Sequence, residues 1–172
     1  MRLSEMFDQR DESRATPAIR RVFLHAGHVW AAAEPTEITT ILGSCVALCI
    51  WDPAAGVGGM NHYMLPHDIG TNHTNARYAR FATTMLLEKL LAAGANRPRL
   101  RAKIFGGASV LRVFADASRD LGAANVRVAR ERLFDEHIPI LEEDTGGTSG
   151  RKLIYLTATG ETRVSKVSRV IP

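Results

Sequence analysis

Two stretches of the chain combine residue types that could do chemistry with a spacing that could bring them together. The first, residues 38–52, reads ITTILGSCVALCIWD, and the second, residues 58–66, reads GGMNHYMLP. Cys45 stands at the mouth of the apolar run in the first stretch, and His62 follows seventeen residues later. A free thiol is only a few per cent ionised at neutral pH, so a nucleophilic cysteine needs a base or a positive environment. The pair therefore fits the nucleophile and base of an acyl-transfer reaction.

The residues around the cysteine suit such a role. Gly43 and Ser44 favour a permissive turn, which can present the thiol at a strand edge and point backbone N–H groups at an oxyanion. A third, polar group would fix the orientation of the imidazole. Spacing alone leaves four candidates for that group: Thr39, Thr40, Asp52 and Asn61. The alternative interpretation is a buried histidine that merely packs beside a buried cysteine.

The second cysteine, Cys49, is expected to be structural. It lies four residues after Cys45 in what reads as a strand. Their Cα atoms would then be about 13 Å apart, beyond the roughly 7 Å that a disulfide spans. Because apolar residues flank Cys49, we expect a buried, separate thiol that behaves as a small apolar side chain.

Other residues that could bind ligands give weak patterns. Four histidines could suggest a metal site, but their spacing fits no common zinc pattern: they are His62, His67, His73 and His137. Three Gly-Gly pairs fall in no nucleotide-binding motif and indicate close backbone packing or tight turns: they are 58–59, 106–107 and 146–147. We therefore expect neither a metal nor a cofactor.

The composition is typical of an ordinary soluble globular protein. The chain has 172 residues, of which 45% are hydrophobic and 23% charged. No apolar run approaches the ~18 residues of a membrane span, and the N-terminal segment lacks the apolar region of a secretory signal. We therefore expect a cytoplasmic protein with reduced thiols and no membrane insertion. The excess of positive charge lies in residues 151–172, where cations alternate with Val and Thr, a pattern that favours a strand edge over a nucleic-acid surface.

Periodicity predicts a mixed α+β fold. Residues 1–20 are polar and predict a weakly ordered tail, followed by a single domain over 21–172. Short apolar runs predict about eight strands, and helical spacing predicts a helix from Tyr78 to the stop at Gly94, capped by Asn75. Two shorter helices are predicted around residues 110–114 and 126–133. Because strands and helices do not alternate, we expect a mixed sheet with helices packed against it.

The predicted strand pairing is what could join the two chemical stretches. Turn residues at 52–56 indicate that 46–51 and 57–63 pair as neighbouring antiparallel strands. With facing residue numbers summing to about 108, Cys45 would lie opposite the chain near Tyr63, within reach of the histidine. Sequence fixes such a register only weakly.

The motifs LGSCVALCIWD and GGMNHYMLP resemble those of the chemoreceptor glutamine deamidase family CheD, as do AKIFGGA and EEDTGG with Arg151 further along the chain. The resemblance extends over about residues 27–167. It implies a mixed α/β sandwich similar to cysteine hydrolases that include glutamine-deamidating toxins. It also implies a Cys-His-Thr site made of Cys45, His62 and Thr39, since the family threonine precedes its cysteine by six residues.

The same resemblance implies an activity and partners. The family's reaction is that of a protein-glutamine glutaminase, which converts glutamine side chains of methyl-accepting chemotaxis receptors to glutamate and releases ammonia through a thioester on the cysteine. A CheC-type phosphatase is a further partner that the resemblance suggests, and no nucleic acid is implied. The alternative is a binding module that engages receptors or a CheC-type phosphatase and has little or no hydrolytic activity.

Overall fold

The computed structural model of the chain describes residues 18–68, 75–109 and 120–167. Within these ranges the chain forms nine β-strands, two α-helices and one short 3-10 helix at Arg97–Arg99. The elements in chain order are β1 Arg20–Phe23, β2 His28–Ala32, β3 Thr36–Leu42, β4 Val46–Asp52, β5 Val57–Tyr63, α1 Ala79–Ala92, β6 Arg101–Gly106, α2 Leu121–Asp135, β7 Ile140–Thr145, β8 Gly150–Leu156 and β9 Thr162–Val167.

The strands form two mixed sheets that pack face to face. One has four strands in the order β1-β3-β8-β9, and the other has five in the order β2-β5-β4-β6-β7. The pairs β1–β3 and β6–β7 are parallel, and the remaining pairs are antiparallel. Helix α1 packs on β2 and β5, and α2 packs on β4 and β6. The predicted mixed α+β sandwich is confirmed.

The five-stranded sheet is covered on both of its faces. Its inner face meets the four-stranded sheet through one apolar cluster, made of Leu24, Ile38, Leu42, Ala47, Cys49, Met60, Phe105, Leu153 and Tyr155. Its outer face meets the helices through a second cluster, whose members include Val46, Leu48, Ile50, Leu86, Leu90, Ile104, Val126 and Leu133. All seven residues of β4 are buried, which explains why that strand reads as a continuous apolar run rather than an alternating one.

The Gly58–Gly59 pair confirms that the glycines mark close packing. A Cβ atom built on Gly58 would lie 2.2 Å from the carbonyl oxygen of Thr157 in the opposite sheet. One built on Gly59 would lie 2.5 Å from the carbonyl oxygen of Trp30 in the neighbouring strand. Both separations are far below van der Waals contact, so the sandwich closes only because β5 lacks side chains at these positions.

The helices differ from the predictions in their details. The first helix is found close to its predicted bounds, but Asn75 does not cap it, because its side-chain oxygen accepts from the backbone N–H of Arg77 at 3.0 Å. The second is longer than predicted and begins after Asp120, whose side chain accepts from the N–H of Ala123 at 3.2 Å. The helix predicted around residues 110–114 lies outside the described residues, as does most of the predicted N-terminal tail. No helix of the described part is long and apolar enough to span a membrane.

Candidate active site

The cysteine of the first motif lies in a turn that neighbouring backbone holds in place. Cys45 immediately precedes β4, and its carbonyl oxygen accepts from the N–H of Gly107 at 2.8 Å. The carbonyl oxygen of Gly43 accepts from the N–H of Ala108, also at 2.8 Å. Gly106 adopts φ +108°, and a Cβ atom there would lie 2.2 Å from the carbonyl oxygen of Cys45. The AKIFGGA motif therefore supports the cysteine turn, and Gly106 admits no side chain.

The EEDTGG motif supports this loop in turn. The N–H of Gly146 donates to the carbonyl oxygen of Gly106 at 2.9 Å. The N–H of Ser109 donates to the carbonyl oxygen of Gly147 at 2.8 Å. The buried Arg151 side chain donates to the carbonyl oxygen of Gly146 at 2.9 Å and pairs with Asp144. The EEDTGG motif thus supports the AKIFGGA motif through hydrogen bonds, and AKIFGGA in turn supports the Cys45 turn.

Strand pairing places His62 on the same sheet face as Cys45. In the observed register Ala47 lies opposite His62, and Val46 lies opposite Tyr63. This is one residue away from the predicted register, which would have set His62 against Val46 on the helix-facing side. Because side chains alternate between faces, that one-residue difference decides whether the imidazole and the thiol share a face. Cys45 packs against the apolar cluster between the sheets, the side on which His62 lies.

The imidazole is held by a threonine of the opposite sheet. The hydroxyl oxygen of Thr40 lies 2.8 Å from Nδ1 of His62 and 2.7 Å from the carbonyl oxygen of Leu24. A hydroxyl has one proton to donate, and the Leu24 carbonyl can only accept. The hydroxyl therefore accepts from Nδ1–H of His62, and this leaves Nε2 with its lone pair.

The free nitrogen is the one that a general base requires. Nε2 of His62 is buried and has no hydrogen-bond partner among the described residues. An imidazole with Nδ1–H fixed by an acceptor can take a proton only at Nε2. The histidine is thus oriented and set in the tautomer that could deprotonate a thiol on the same face.

Thr39 is not the threonine that contacts the histidine, which corrects the assignment made by counting six residues back from the cysteine. Along β3 the residues Ile38, Thr40 and Leu42 are buried, whereas Thr39 alternates with them and is only partly buried. Alternation along a strand sends neighbouring side chains to opposite faces, so two adjacent threonines cannot both point between the sheets. Of this pair, Thr40 points inward.

The other two candidates for an orienting group are engaged elsewhere. Asp52 is buried at the far end of β4, where it pairs with Arg99 and accepts from the backbone N–H of Asn96 at 2.8 Å. The Arg99 guanidinium, assisted by backbone N–H groups, holds the pKa of Asp52 well below its usual range. The side-chain oxygen of Asn61 accepts from the N–H of Leu48 at 3.0 Å. These contacts serve the fold.

Burial sets the charge state of the pair. Desolvation lowers the pKa of His62 to about 4, against an opposing backbone hydrogen bond to Leu24 and with a further lowering by His25 and His28. Desolvation also raises the pKa of the Cys45 thiol, and a hydrogen bond from its own backbone N–H offsets part of that rise. At neutral pH the site therefore holds a neutral thiol and a neutral imidazole rather than a thiolate–imidazolium ion pair.

The two cysteines differ in access as predicted. Both are free thiols, but Cys45 is only partly buried whereas Cys49 is fully buried. Burial raises the pKa of Cys49 well above its usual range, with a smaller lowering by Lys103.

The histidines that could suggest a metal site are not all within the described residues. His137 lies just after α2, and His73 lies outside the described residues. In the described ranges no three His, Cys, Asp or Glu side chains form a group that could hold a metal ion.

A family model and the curated relatives of the chain agree on one family. A family model described as "CheD chemotactic sensory transduction" matches residues 64–166. "Probable chemoreceptor glutamine deamidase CheD 1" of Anaeromyxobacter dehalogenans is similar at 50% identity over 135 residues, which is 78% of this chain and 78% of that protein. The "Probable chemoreceptor glutamine deamidase CheD" of Trichlorobacter lovleyi is 44% identical over 142 residues, covering 83% of this chain and 88% of that protein.

A third relative, the protein of the same name from Caulobacter vibrioides, is 42% identical over 161 residues, 91% of this chain and 81% of its own length. A match over 91% of this chain necessarily includes the segment from Cys45 to His62. Among solved structures, the Bacillus licheniformis hypothetical protein YfiH matches with a TM-score of 0.44 and 17% identity, over 67% of this chain and 49% of that chain. That likeness is too weak to bear on function.

The difference between the two thiols gives a direct test of the site's charge state. We expect iodoacetamide to label Cys45 in preference to Cys49 in the folded chain, because only Cys45 is accessible. We also expect the labelling rate to rise steadily from about pH 6 to about pH 9, because the neutral imidazole leaves the thiol protonated at lower pH. Peptide mapping after timed labelling measures both quantities. Preferential labelling of Cys49 would contradict the assignment, and a rate already level at about pH 6 would contradict the neutral pair.

Proposed function

Because the chain belongs to the CheD family, we propose that it is a chemoreceptor glutamine deamidase in which Cys45 is the nucleophile and His62 the general base. The observation that carries this proposal is the hydrogen-bonded chain from the Leu24 carbonyl through the Thr40 hydroxyl to Nδ1 of His62. It leaves Nε2 as the basic nitrogen on the sheet face that Cys45 also occupies. A free ring nitrogen and a partly buried thiol on one face favour an enzyme over a pure binding module.

The reaction begins with proton transfer within this pair. Nε2 of His62 takes the thiol proton as the sulfur of Cys45 attacks the carboxamide carbon of a glutamine side chain. The carbonyl oxygen becomes an oxyanion, and we assign its stabilisation to backbone N–H groups of the Ser44–Cys45 turn. The imidazolium then gives its Nε2 proton to the departing nitrogen, and ammonia leaves a thioester behind.

Hydrolysis of the thioester returns the site to its resting state. The neutral imidazole removes a proton from water, which attacks the thioester carbon, and the sulfur leaves and recovers a proton from the imidazolium. The product is a glutamate side chain, with one added negative charge. Each step uses the same nitrogen of His62, so the Nδ1 contact with Thr40 can persist throughout.

The environment of His62 favours slow turnover. A hydroxyl orients the imidazole without adding negative charge, so it stabilises the imidazolium less than a carboxylate would. Burial lowers the pKa of His62 to about 4, which weakens it as a base relative to a histidine titrating near neutral pH. Slow turnover is sufficient for an enzyme that adjusts the charge of receptors, whereas an enzyme that processes a metabolite would need to be faster.

The thiol of Cys45 has to stay reduced for this reaction, and for that reason we propose that the protein acts in the cytoplasm.

The substrate follows from the shape of the site. Cys45 is partly buried and His62 is buried, so a carboxamide has to reach inward from the surface of its protein. A glutamine on a receptor helix offers that amide at the end of a flexible stem. A CheC-type phosphatase as partner remains a prediction from the family resemblance.

We expect the chain to convert glutamine to glutamate in folded receptor fragments and to leave asparagine at the same position nearly untouched. The asparagine stem is one methylene shorter, and a misplacement of about 1 Å can cost on the order of a hundredfold in rate. Mass spectrometry detects each event as a gain of roughly one dalton together with ammonia release. Cys45→Ala and His62→Ala should abolish it. Comparable rates on the two amides, or activity that survives Cys45→Ala, would refute the mechanism, and tight binding without any mass shift would favour the binding module.

The adjacent threonines provide a matched pair of variants. Thr40→Val keeps the side-chain shape but removes the acceptor for Nδ1–H, so we expect kcat to fall by about tenfold to a hundredfold. Thr39→Val changes the neighbouring residue on the opposite face of β3 and should leave kcat within about twofold. Steady-state deamidation assays, with urea unfolding to verify that both variants are folded, measure the contrast. Equal losses in the two variants would show that the hydroxyl of Thr40 has no specific role.

A further inference from the structure

Helix α2 presents one buried polar side chain on an otherwise apolar face. Its buried residues are Gly122, Asn125, Val126, Val128, Ala129 and Leu133. Asn125 is fully buried, and burying a carboxamide is costly unless it is hydrogen-bonded. An aliphatic residue would serve packing alone, so the amide needs another explanation.

The Asn125 amide joins the two segments that carry the catalytic pair. Its Nδ2 donates to the carbonyl oxygen of Ser44 at 2.9 Å and to the carbonyl oxygen of Met64, also at 2.9 Å. Ser44 precedes Cys45, and Met64 lies two residues after His62. Since both partners are carbonyl oxygens, which can only accept, the NH₂ end of the amide must face them.

The backbone of Asn125 adds a third link to the same place. Its carbonyl oxygen accepts from the hydroxyl of Tyr63 at 2.7 Å, and Tyr63 directly follows His62. The side-chain oxygen of Asn125, by contrast, is buried without a hydrogen-bond partner among the described residues. Burial removes water from this acceptor, and no hydrogen bond offsets that cost. The Asn125 side chain thus keeps its NH₂ group on the Ser44 and Met64 carbonyl oxygens even though its own oxygen is left unpaired.

The helix that carries Asn125 is itself fixed against the cysteine loop. A Cβ atom on Gly122 would lie 2.4 Å from the carbonyl oxygen of Gly107, and one on Gly107 would lie 2.3 Å from Cγ2 of Val126. Gly107 is also the residue whose N–H donates to the carbonyl oxygen of Cys45. The first turn of α2 therefore has little freedom to shift, and the amide acts from a rigid support.

We propose that Asn125 is a positioning residue, whose carboxamide ties the Ser44–Cys45 turn to the end of the His62 strand and thereby sets the separation of thiol and imidazole. This inference rests on the proposed deamidase function. The Asn125 side chain touches neither substrate nor reacting atoms, and it acts through the two carbonyl groups to which it donates. The strand ladder between these two segments ends at the Val46–Tyr63 pair, and the Asn125 amide links them just beyond that end, at Ser44 and Met64.

We expect Asn125→Ala to lower kcat by about tenfold to a hundredfold while KM stays within about twofold, because it alters the geometry of the pair and not the substrate contacts. Iodoacetamide labelling of Cys45 should become several-fold faster as the turn loosens, with labelling of Cys49 unchanged. Thr157→Val is the matched control. Thr157 is fully buried, and its hydroxyl accepts from the N–H of Thr36 at 2.9 Å, where the two sheets meet beside Gly58. It should lower stability without changing kcat or Cys45 labelling.

The outcomes separate this inference from the proposed function. Unchanged kcat in folded Asn125→Ala, or faster labelling of both cysteines together, would overturn the positioning role while leaving the deamidase assignment intact. If the wild-type chain shows no deamidation, the proposed function fails, and the labelling of Cys45 alone still decides whether Asn125 holds the turn. If Asn125→Ala does not fold, hydrogen exchange of the Asn125 carboxamide in the wild-type protein tests whether that group holds the turn. Its protons should exchange with solvent at least about tenfold more slowly than those of the exposed Asn96 side chain, and equal exchange would overturn the inference.

Discussion

The contact between the Thr40 hydroxyl and the His62 imidazole joins the two sheets of the sandwich at the place where chemistry is proposed. Thr40 belongs to the four-stranded sheet and His62 to the five-stranded sheet. The hydroxyl can accept from the imidazole only because its own proton goes to the Leu24 carbonyl, which lies just beyond β1. The tautomer of the histidine therefore depends on correct packing of the whole sandwich. Gly58 is remote from the site, yet it matters because a side chain there would collide with the opposite sheet and hold the two sheets apart.

Burial of the same histidine has a chemical cost. It removes water from the imidazole, and this lowers its pKa and leaves the cysteine thiol protonated at rest. In the proposed mechanism the nucleophile is therefore formed only when the proton moves to Nε2 during attack, in contrast to cysteine enzymes that store a thiolate beside an imidazolium. A resting thiol is also less prone to oxidation and to reaction with unintended electrophiles. For a regulatory enzyme that acts on a protein, slow turnover is compatible with this protection.

The sequence was sufficient to propose Cys45 and His62 as the reacting pair but not to specify their surroundings. The two residues could be proposed because their residue types, the turn before the cysteine and the apolar runs around them are local features. The pairing of β4 with β5 was also predicted, yet its register was wrong by one residue, because several registers of two apolar strands bury similar surface. The structure shows that this single residue decides which face carries the imidazole.

Contacts between distant segments were beyond a reading of the sequence. Thr39 and Thr40 have the same chemistry, and the choice between them depends on how β3 faces β5 across the sandwich. Asn125 carried one usable signal, a polar residue at a helical position that is otherwise apolar, but its partners lie 81 and 61 residues away. Hydrogen bonds of that range are set by the folded topology rather than by local pattern.

The central claim is that His62 is a neutral imidazole with its proton on Nδ1, donated to Thr40. Nitrogen chemical shifts of the His62 ring, recorded by NMR on the wild-type chain between about pH 5 and about pH 8, test it most directly. The account predicts one neutral Nδ1–H tautomer over that whole range, with protonation only as the pH approaches about 4, and a loss of this signature in Thr40→Val. A ring that titrates at or above the ordinary histidine value of 6.5, or one that carries its proton on Nε2, would contradict it.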